Sequence, residues 1–173
     1  SIKLLIDADA STNHVYKKSY RPFPSCSSGW KGAAAVGESV FFAPYNSDSV
    51  LVFDTSNGTT SKIKCEVSGQ FKWSGITAVG TKLYCCPQDA SSILMIDATT
   101  RLVATIACPV EGSDKFRGIA SINNNVYFTP NSANCVLVLD SMDESTRTME
   151  VPEDIEGEYG HKWIGLTVYK KKL

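Results

Sequence analysis

Short apolar runs alternate with clusters of glycine, proline, asparagine, aspartate and serine along most of the chain. Between residues 73 and 106, four such runs follow one another, at 76–79, 82–87, 93–97 and 102–106. Runs of this length, rich in β-branched and aromatic residues and bounded by turn residues, are typical of β-strands. No stretch keeps a helical period over three turns. The pattern predicts an antiparallel sheet of four strands, here called a, b, c and d in chain order.

The same pattern recurs, with three landmarks repeating every 43 residues. They are Gly32, Gly75 and Gly118 in strand a, Pro44, Pro87 and Pro130 at the end of strand b, and Asp54, Asp97 and Asp140 at the end of strand c. A period of about 40–50 residues indicates a propeller or a solenoid. Strand a has small residues, which suit a crowded axis, and strand c is almost wholly apolar, as in strands covered on both faces. The sequence therefore predicts an all-β propeller of four-stranded antiparallel blades, each covered by its neighbours.

The repeat boundaries predict about four units in one domain. Three are whole blades, at residues 30–72, 73–115 and 116–162. Residues 1–29 match strands c and d, and residues 163–173 match strand a, so the terminal blade is split between the two ends and lacks strand b. Two interpretations stay open: a segment of a longer propeller, which we favour, or a small ring closed by a defective blade.

The third repeat supports a family resemblance. It reads Gly-Ile-Ala at 118–120, Asn-Val-Tyr-Phe at 125–128 and Val-Leu-Val-Leu-Asp at 136–140. These residues resemble the repeat of the NHL and gluconolactonase-like six-bladed propeller superfamily. The form of the repeat with Trp-x-Gly, then Pro, then Asp also resembles repeats in uncharacterised propeller proteins of unicellular eukaryotes. The resemblance implies the fold but no single activity, because binding modules, lyases and hydrolases share it. Prolines stand where NHL repeats often have an acidic residue after strand b.

Composition and charge narrow the range of partners. The 173 residues are 43% hydrophobic and 20% charged, with a net charge of −1. This charge gives no electrostatic case for nucleic acid or for an anionic membrane. No apolar stretch approaches the roughly 18–20 residues of a membrane helix. We therefore expect neither nucleic acid nor a membrane among the partners.

Cysteine and histidine usage predicts no metal site and no cofactor. The cysteines are Cys26, Cys65, Cys85, Cys86, Cys108 and Cys135, and the histidines are His14 and His161. Their spacings form no Cys-x-x-Cys clamp. Neighbouring Cys85 and Cys86 are expected to point to opposite faces of one strand, which disfavours a bond between them. We interpret the cysteines as small strand-filling residues in a reducing, cytoplasmic setting. A disulfide framework is the alternative.

The candidate binding residues lie at one end of the blades. In an antiparallel blade, strand a begins where strand b ends and strand c begins. The residues predicted to share this rim are the aromatics Trp30, Trp73, Phe116 and Trp163 and the loop residues Asn46, Asp48, Asp89 and Asn131. Aromatic platforms beside polar groups suit a protein, a peptide or a glycan. The alternative is that the rings fill the wedges between blades and the polar side chains satisfy their own turns.

Other charged residues have simpler interpretations. The basic residues beside the rim aromatics are expected to be solvated; they are Lys31, Lys72, Lys115, Arg117 and Lys162. The repeated aspartates at the end of strand c are expected to accept hydrogen bonds from the backbone two residues on.

Gluconolactonase-like propellers hold a divalent cation with axial Glu, Asn and Asp, but the start of strand a is not acidic here. This difference disfavours metal-dependent hydrolysis.

We therefore predict a non-catalytic binding scaffold that presents the rim to a protein, peptide or glycan. One alternative is a fragment of a larger lactonase- or lyase-type enzyme whose catalytic residues lie outside this chain. A second alternative is an assembly module, in which open strand edges pair with another copy or a partner, because exposed edges are association sites.

Overall fold

The computed structural model describes residues 28–151, which form twelve β-strands and no helix. The first sheet consists of β1 (Trp30–Val36), β2 (Ser39–Pro44), β3 (Ser49–Asp54) and β4 (Thr60–Lys64). The second consists of β5 (Trp73–Val79), β6 (Lys82–Pro87), β7 (Ser92–Asp97) and β8 (Val103–Ala107). The third consists of β9 (Phe116–Ile122), β10 (Asn125–Pro130), β11 (Cys135–Asp140) and β12 (Thr146–Glu150). Within this range no helix is long and apolar enough to cross a bilayer.

Each sheet is an antiparallel meander in which strands pair in chain order. The predicted all-β fold of four-stranded antiparallel blades is confirmed, and we call the three sheets blades 1, 2 and 3. Register shifts interrupt the pairing of each first strand with its neighbour near the start of strand a, as between Lys31 and Ala33. The partial unit predicted at 163–173, all but the last two residues of the one predicted at 1–29, and the end of the unit predicted at 116–162 lie outside the described residues.

Glycines allow the first strands of adjacent blades to approach closely. Strand β5 contacts both β1 and β9. A Cβ atom added to Gly32 would lie 3.0 Å from the Cα atom of Gly75, and one added to Gly75 would lie 3.0 Å from Cγ2 of Ile119. Contacts of 3.0 Å are tighter than nine in ten real Cβ contacts, so a side chain at either glycine would displace its neighbour by a few tenths of an ångström. The 43-residue glycine spacing thus marks a close approach of the first strands of adjacent blades.

Two apolar clusters fill the two seams between the blades. One joins blades 1 and 2 and includes Phe41, Val52 and Leu94. The other joins blades 2 and 3 and includes Ile93 and Leu137. Leu94 and Ile93 are neighbours on β7 that serve opposite seams, because successive side chains of a strand point to opposite faces. Blade 2 is therefore covered on both sides.

Cysteines 85 and 86 follow the same alternation, as predicted. Cys85 belongs to the cluster between blades 1 and 2, and Cys86 to the cluster between blades 2 and 3. Both are fully buried. Burial raises the pKa of the Cys86 thiol from its ordinary value of 9.0 to about 12. These two thiols pack as small apolar side chains.

The opposite rim, formed by the a–b and c–d turns, adds polar contacts between blades. Arg101 donates from Nη2 to Oγ of Ser39 in the preceding blade at 3.0 Å. Glu144, 43 residues later, forms an ion pair of 3.2 Å with Lys82 in the preceding blade. Both residues have a positive φ, of 59° and 61°, at the position where blade 1 has Gly58. Their side chains thus make interblade contacts that glycine cannot make.

The aspartates that end strand c stabilise their turns, which confirms their predicted role. Oδ1 of Asp54 accepts a hydrogen bond from the backbone N–H of Ser56 at 2.9 Å. Asp97 and Asp140 accept from the residue two positions on in the same way. The hydrogen bonds from Ser56 lower the pKa of Asp54. These carboxylates do not form a ring of ligands.

The close contact at Gly32 leads to a stability prediction. Gly32 and Gly37 both have a positive φ, of 69° and 57°, but a Cβ atom at Gly37 would meet nothing within 4 Å. Gly37→Ala should therefore cost only the left-handed strain, about 1–2 kcal/mol. Gly32→Ala should cost a further 1–3 kcal/mol or so, because its Cβ meets backbone. Urea unfolding of both variants measures the difference, and equal losses would contradict the close packing.

Burial of Cys86 predicts a loss of stability in alkaline solution. The folded state keeps a proton that the unfolded chain releases above pH 9.0, so this stability is complete below pH 9.0 and is lost progressively toward about pH 12. The loss approaches about 1.4 kcal/mol per pH unit for one thiol. In Cys86→Ala, the fall in unfolding free energy from pH 9 to about pH 10 should be about 1 kcal/mol smaller than in the wild type. Parallel urea-unfolding curves across this range would refute the prediction.

Candidate functional site

A continuous chain of backbone hydrogen bonds crosses both seams at the b–c rim, the end of the blades at which strand b ends and strand c begins. Each bond joins a backbone N–H to a backbone carbonyl over 2.7–3.0 Å. In chain order, Tyr45 donates to Gly29, Lys72 to Tyr45, Gln88 to Lys72, Lys115 to Gln88 and Asn131 to Lys115. We call the segment between strand d of one blade and strand a of the next the interblade loop. Each interblade loop therefore donates a backbone hydrogen bond to the blade before it. These bonds fix the positions of the rim side chains.

The aromatic residues at the start of strand a pack into the seams. Trp73 and Phe116 are fully buried, one in each apolar cluster. Nε1 of Trp73 donates to the carbonyl of Ser92 at 2.8 Å, and Nε1 of Trp30 donates to Ser49 at 2.7 Å. The geometry favours the wedge-filling alternative for Trp73 and Phe116, whereas Trp30 is only half-buried. Trp163 lies outside the described residues.

Lys72 and Lys115 are not solvated, so the sequence expectation was wrong for these two residues. Each is 2% exposed. Nζ of Lys115 donates to the carbonyls of Ala90, in the preceding blade, and of Gly112, both at 3.0 Å. Lys72 makes the equivalent bonds to Ser47 and Gly69 at 2.9 Å. The carbonyls replace water around each ammonium, and burial lowers the pKa of both lysines.

A repeated signal in the sequence could have identified these lysines. Gly-x-x-Lys followed by an aromatic residue occurs at 69–73 and again at 112–116. Both glycines have a positive φ, of 120° and 106°, and their carbonyls accept from the lysines. A basic residue that recurs with the same glycine and aromatic neighbours therefore indicates a seam contact.

Two polar residues of the b–c loops, Asn46 and Asp89, stabilise the next interblade loop. Oδ1 of Asn46 accepts from the N–H of Phe71 at 2.8 Å, and Oδ1 of Asp89 accepts from the N–H of Asp114 at 2.6 Å. Phe71 and Asp114 both have left-handed backbone, with φ of 53° and 54°. The side chains of Asn46 and Asp89 thus hold two strained positions across the seams.

The other two predicted loop residues differ in exposure. Asn131 is fully buried and donates from Nδ2 to Oδ2 of Asp114 at 2.8 Å. Asp48 is exposed and accepts from Oγ of Ser49 at 2.9 Å. Of the four predicted loop residues, only Asp48 is exposed, and Asn46 and Asp89 are half-buried.

An aromatic and basic surface remains exposed at the rim of blade 1. Phe71 is 44% exposed, and its ring meets the Tyr45 ring edge-on at a centroid distance of 5.3 Å. Nζ of Lys31 lies 4.4 Å from the centroid of the Tyr45 ring. Nζ of Lys62 lies 5.4 Å from the centroid of the Trp30 ring. We call Trp30, Lys31, Tyr45, Lys62 and Phe71 the blade-1 rim patch; within it Tyr45 is buried, Trp30 is half-buried and the other three are exposed.

The same rim positions carry different chemistry at the second seam. Asp114 stands 43 residues after Phe71, and Arg117 stands 43 after Ser74. The Arg117 guanidinium binds the Asp114 carboxylate through two hydrogen bonds of 2.9 Å. Aspartate tolerates left-handed backbone far better than phenylalanine does. The rim is therefore aromatic at the first seam and ionic at the second.

The described residues hold no group of three or more His, Cys, Asp or Glu that could bind a metal ion. The buried thiols of Cys85 and Cys86 have raised pKa values because burial disfavours the thiolate. Nucleophilic thiols have lowered pKa values. The exposed chemistry at the rim is suited to contact and to hydrogen bonding.

Comparison with solved structures shows the fold class. A streptogramin B lyase aligns with a TM-score of 0.63 and 16% identity, over 73% of this chain and 42% of that one. Virginiamycin B lyase from Staphylococcus aureus aligns with a TM-score of 0.61 and 16% identity, over 72% and 42%. A chain of a nidogen/laminin complex aligns with a TM-score of 0.54 and 16% identity, over 69% and 47%. These are propeller-type proteins, so the described blades are those of a β-propeller.

The similarity is one of fold and covers part of each relative. This chain spans about two fifths of the length of the two lyases. No profile of a known protein family matches the chain, and no curated protein matches it in sequence. The resemblance to NHL repeats therefore stays a prediction from the sequence.

The buried lysines allow a direct test of the seam. Lys115→Met keeps the aliphatic stem but removes the donor to the carbonyls of Ala90 and Gly112. We expect a loss of about 2 kcal/mol, because a buried carbonyl loses a charged donor. The control is Lys82→Met, which removes an exposed ion pair and should cost less than about 1 kcal/mol. Urea unfolding compares the two, and an equal effect would show that the buried ammonium does not stabilise the seam.

Proposed function

We propose that this protein is a non-catalytic binding scaffold whose blade-1 rim patch contacts a protein, a peptide or a glycan. The observation that carries the proposal is the conformation of Phe71. Its bulky ring is 44% exposed and its backbone is left-handed, with φ of 53°. A strained residue that is also an exposed aromatic is a typical feature of a binding site.

Folding alone gives little reason for a phenylalanine at this position. Left-handed backbone costs a residue with a side chain about 1–2 kcal/mol, and glycine or asparagine avoids most of that cost. The seam beneath is already filled by the fully buried ring of Trp73. The edge-on contact with Tyr45 offsets about 0.5–1.5 kcal/mol of the strain. A ligand that covers the exposed part of Phe71 would offset the remaining strain.

A second function draws on the lyase similarity. Two structures with TM-scores above 0.6 are lyases, and this chain spans 42% of their length. We therefore keep as an alternative that the chain is part of a larger propeller enzyme, with catalytic residues outside the described blades. Fold similarity at 16% identity does not carry an activity over to this chain. The rim contacts favour the binding scaffold.

Replacing Phe71 with asparagine tests the proposal. Wild-type protein would be used to select peptides from a phage-displayed library and to probe a glycan array. For the ligands so identified, Phe71→Asn should weaken binding at least about tenfold, because an interface aromatic commonly contributes more than 1.4 kcal/mol or so. Its unfolding free energy should change by less than about 1 kcal/mol, because relief of strain offsets the lost ring contact.

The matched control is Leu102→Asn, which removes an apolar side chain that is 68% exposed outside the patch. It should leave binding unchanged. The proposal fails if the selected ligands bind Phe71→Asn as tightly as wild type, or if both the library and the array yield no ligand.

A further inference from the structure

We infer that the ligand of the blade-1 rim patch is an acidic peptide segment with apolar side chains between its carboxylates. This inference rests on the proposed binding function and specifies its ligand. It depends on two features of the patch: an excess of positive charge, and lysines held over aromatic rings.

The rim of blade 1 carries more positive than negative charge. Its cations are Lys31, Lys62, Lys64 and the buried Lys72, and its carboxylates are Asp48 and Glu66. Asp89, whose backbone N–H donates to the Phe71 carbonyl, adds a third carboxylate beside the patch. Four lysines and three carboxylates leave one net positive charge here, whereas the whole chain has a net charge of −1. The ion pairs found in residues 28–151 are Lys82–Glu144 and Arg117–Asp114, and neither involves these lysines. Negative charge on a ligand would complement this surface.

The two exposed lysines of the patch lie over aromatic rings. The ammonium of Lys31 lies 4.4 Å from the Tyr45 centroid, and that of Lys62 lies 5.4 Å from the Trp30 centroid. Cation–π attraction of this kind is worth about 0.5–1 kcal/mol at exposed sites. It restricts the side chains while leaving their N–H donors accessible. A carboxylate can then bind with less loss of side-chain entropy than at a freely mobile lysine.

Gln88 adds a polar contact below the aromatic surface. Its side chain is buried, and Nε2 donates to the hydroxyl of Tyr45 over a long 3.4 Å. Its Oε1 atom has no hydrogen-bond partner in the described part of the chain. Because Gln88 is only 4% exposed, this oxygen is out of reach of a ligand on the surface, and the role of Gln88 is to hold the Tyr45 ring below the ammonium of Lys31.

A peptide supplies all the chemistry that the patch lacks. Glutamate or aspartate side chains would bind the ammonium groups of Lys31 and Lys62, and an apolar side chain would cover the exposed edge of Phe71. A neutral glycan would leave the charges of the lysines uncompensated, so the charge on this rim favours the acidic peptide.

Two synthetic peptides test the inference, one of alternating glutamate and leucine and the other with glutamine in place of every glutamate. Both would be labelled with fluorescein and titrated with the full chain, with anisotropy as the readout. We expect the glutamate peptide to bind at least about tenfold more tightly and to weaken as salt is added. The double variant Lys31→Ala, Lys62→Ala should lose most of this preference.

The control variant is Lys82→Ala, which removes an exposed lysine on the opposite rim. It should bind the glutamate peptide like wild type, and the urea midpoints of both variants confirm that they are folded. Equal binding of the two peptides, no binding of either, or tighter binding of heparin than of the glutamate peptide would overturn the inference. None of these outcomes affects the Phe71→Asn comparison, so the proposed binding function is judged separately.

Discussion

The structure depends on one constraint: each four-stranded sheet has two faces that water must not reach, and only a neighbouring blade can cover them. Covering a face also buries backbone groups at the rim, and these need partners. The interblade loop meets both needs. It places Trp73 or Phe116 in the apolar seam, and beside it a lysine whose ammonium binds carbonyls of the preceding blade. Glycine in strand a then allows the backbones to approach closely.

The fold class could be predicted because the repeated positions have local causes. Glycine, proline and aspartate recur where a close contact, a strand end or a turn requires them, so their spacing reveals the repeat. The repeated Gly-x-x-Lys-aromatic motif marks Lys115 as a seam residue but does not show which groups bind its ammonium, because its acceptor on Ala90 lies 25 residues earlier in another blade. The exposure of Phe71 was missed for a related reason. Whether a ring at a seam is covered depends on how two blades meet.

Repeat positions at the b–c rim divide into two groups. Those that hold the seam are nearly constant in type: an aromatic residue, the lysine before it in blades 2 and 3, and the glycine two residues after it. Those around the seam vary in type. One such position is occupied by Phe71 and Asp114, and another by Tyr45, Gln88 and Asn131. Variation at positions that the fold does not constrain allows one architecture to carry different binding chemistry. The aromatic and basic character of the first seam is a property of such positions.

The contact that Lys72 and Lys115 make across the seams has a consequence for how such a protein can change in length. Each lysine lies directly before strand a of one blade, and one of its two acceptors lies in the b–c loop of the blade before, so every 43-residue unit contains both halves of the contact. Duplication of one repeat in the gene would therefore add a blade that already fits both neighbours. Ring size can evolve in whole steps without new seam residues, while the variable rim positions diverge afterwards.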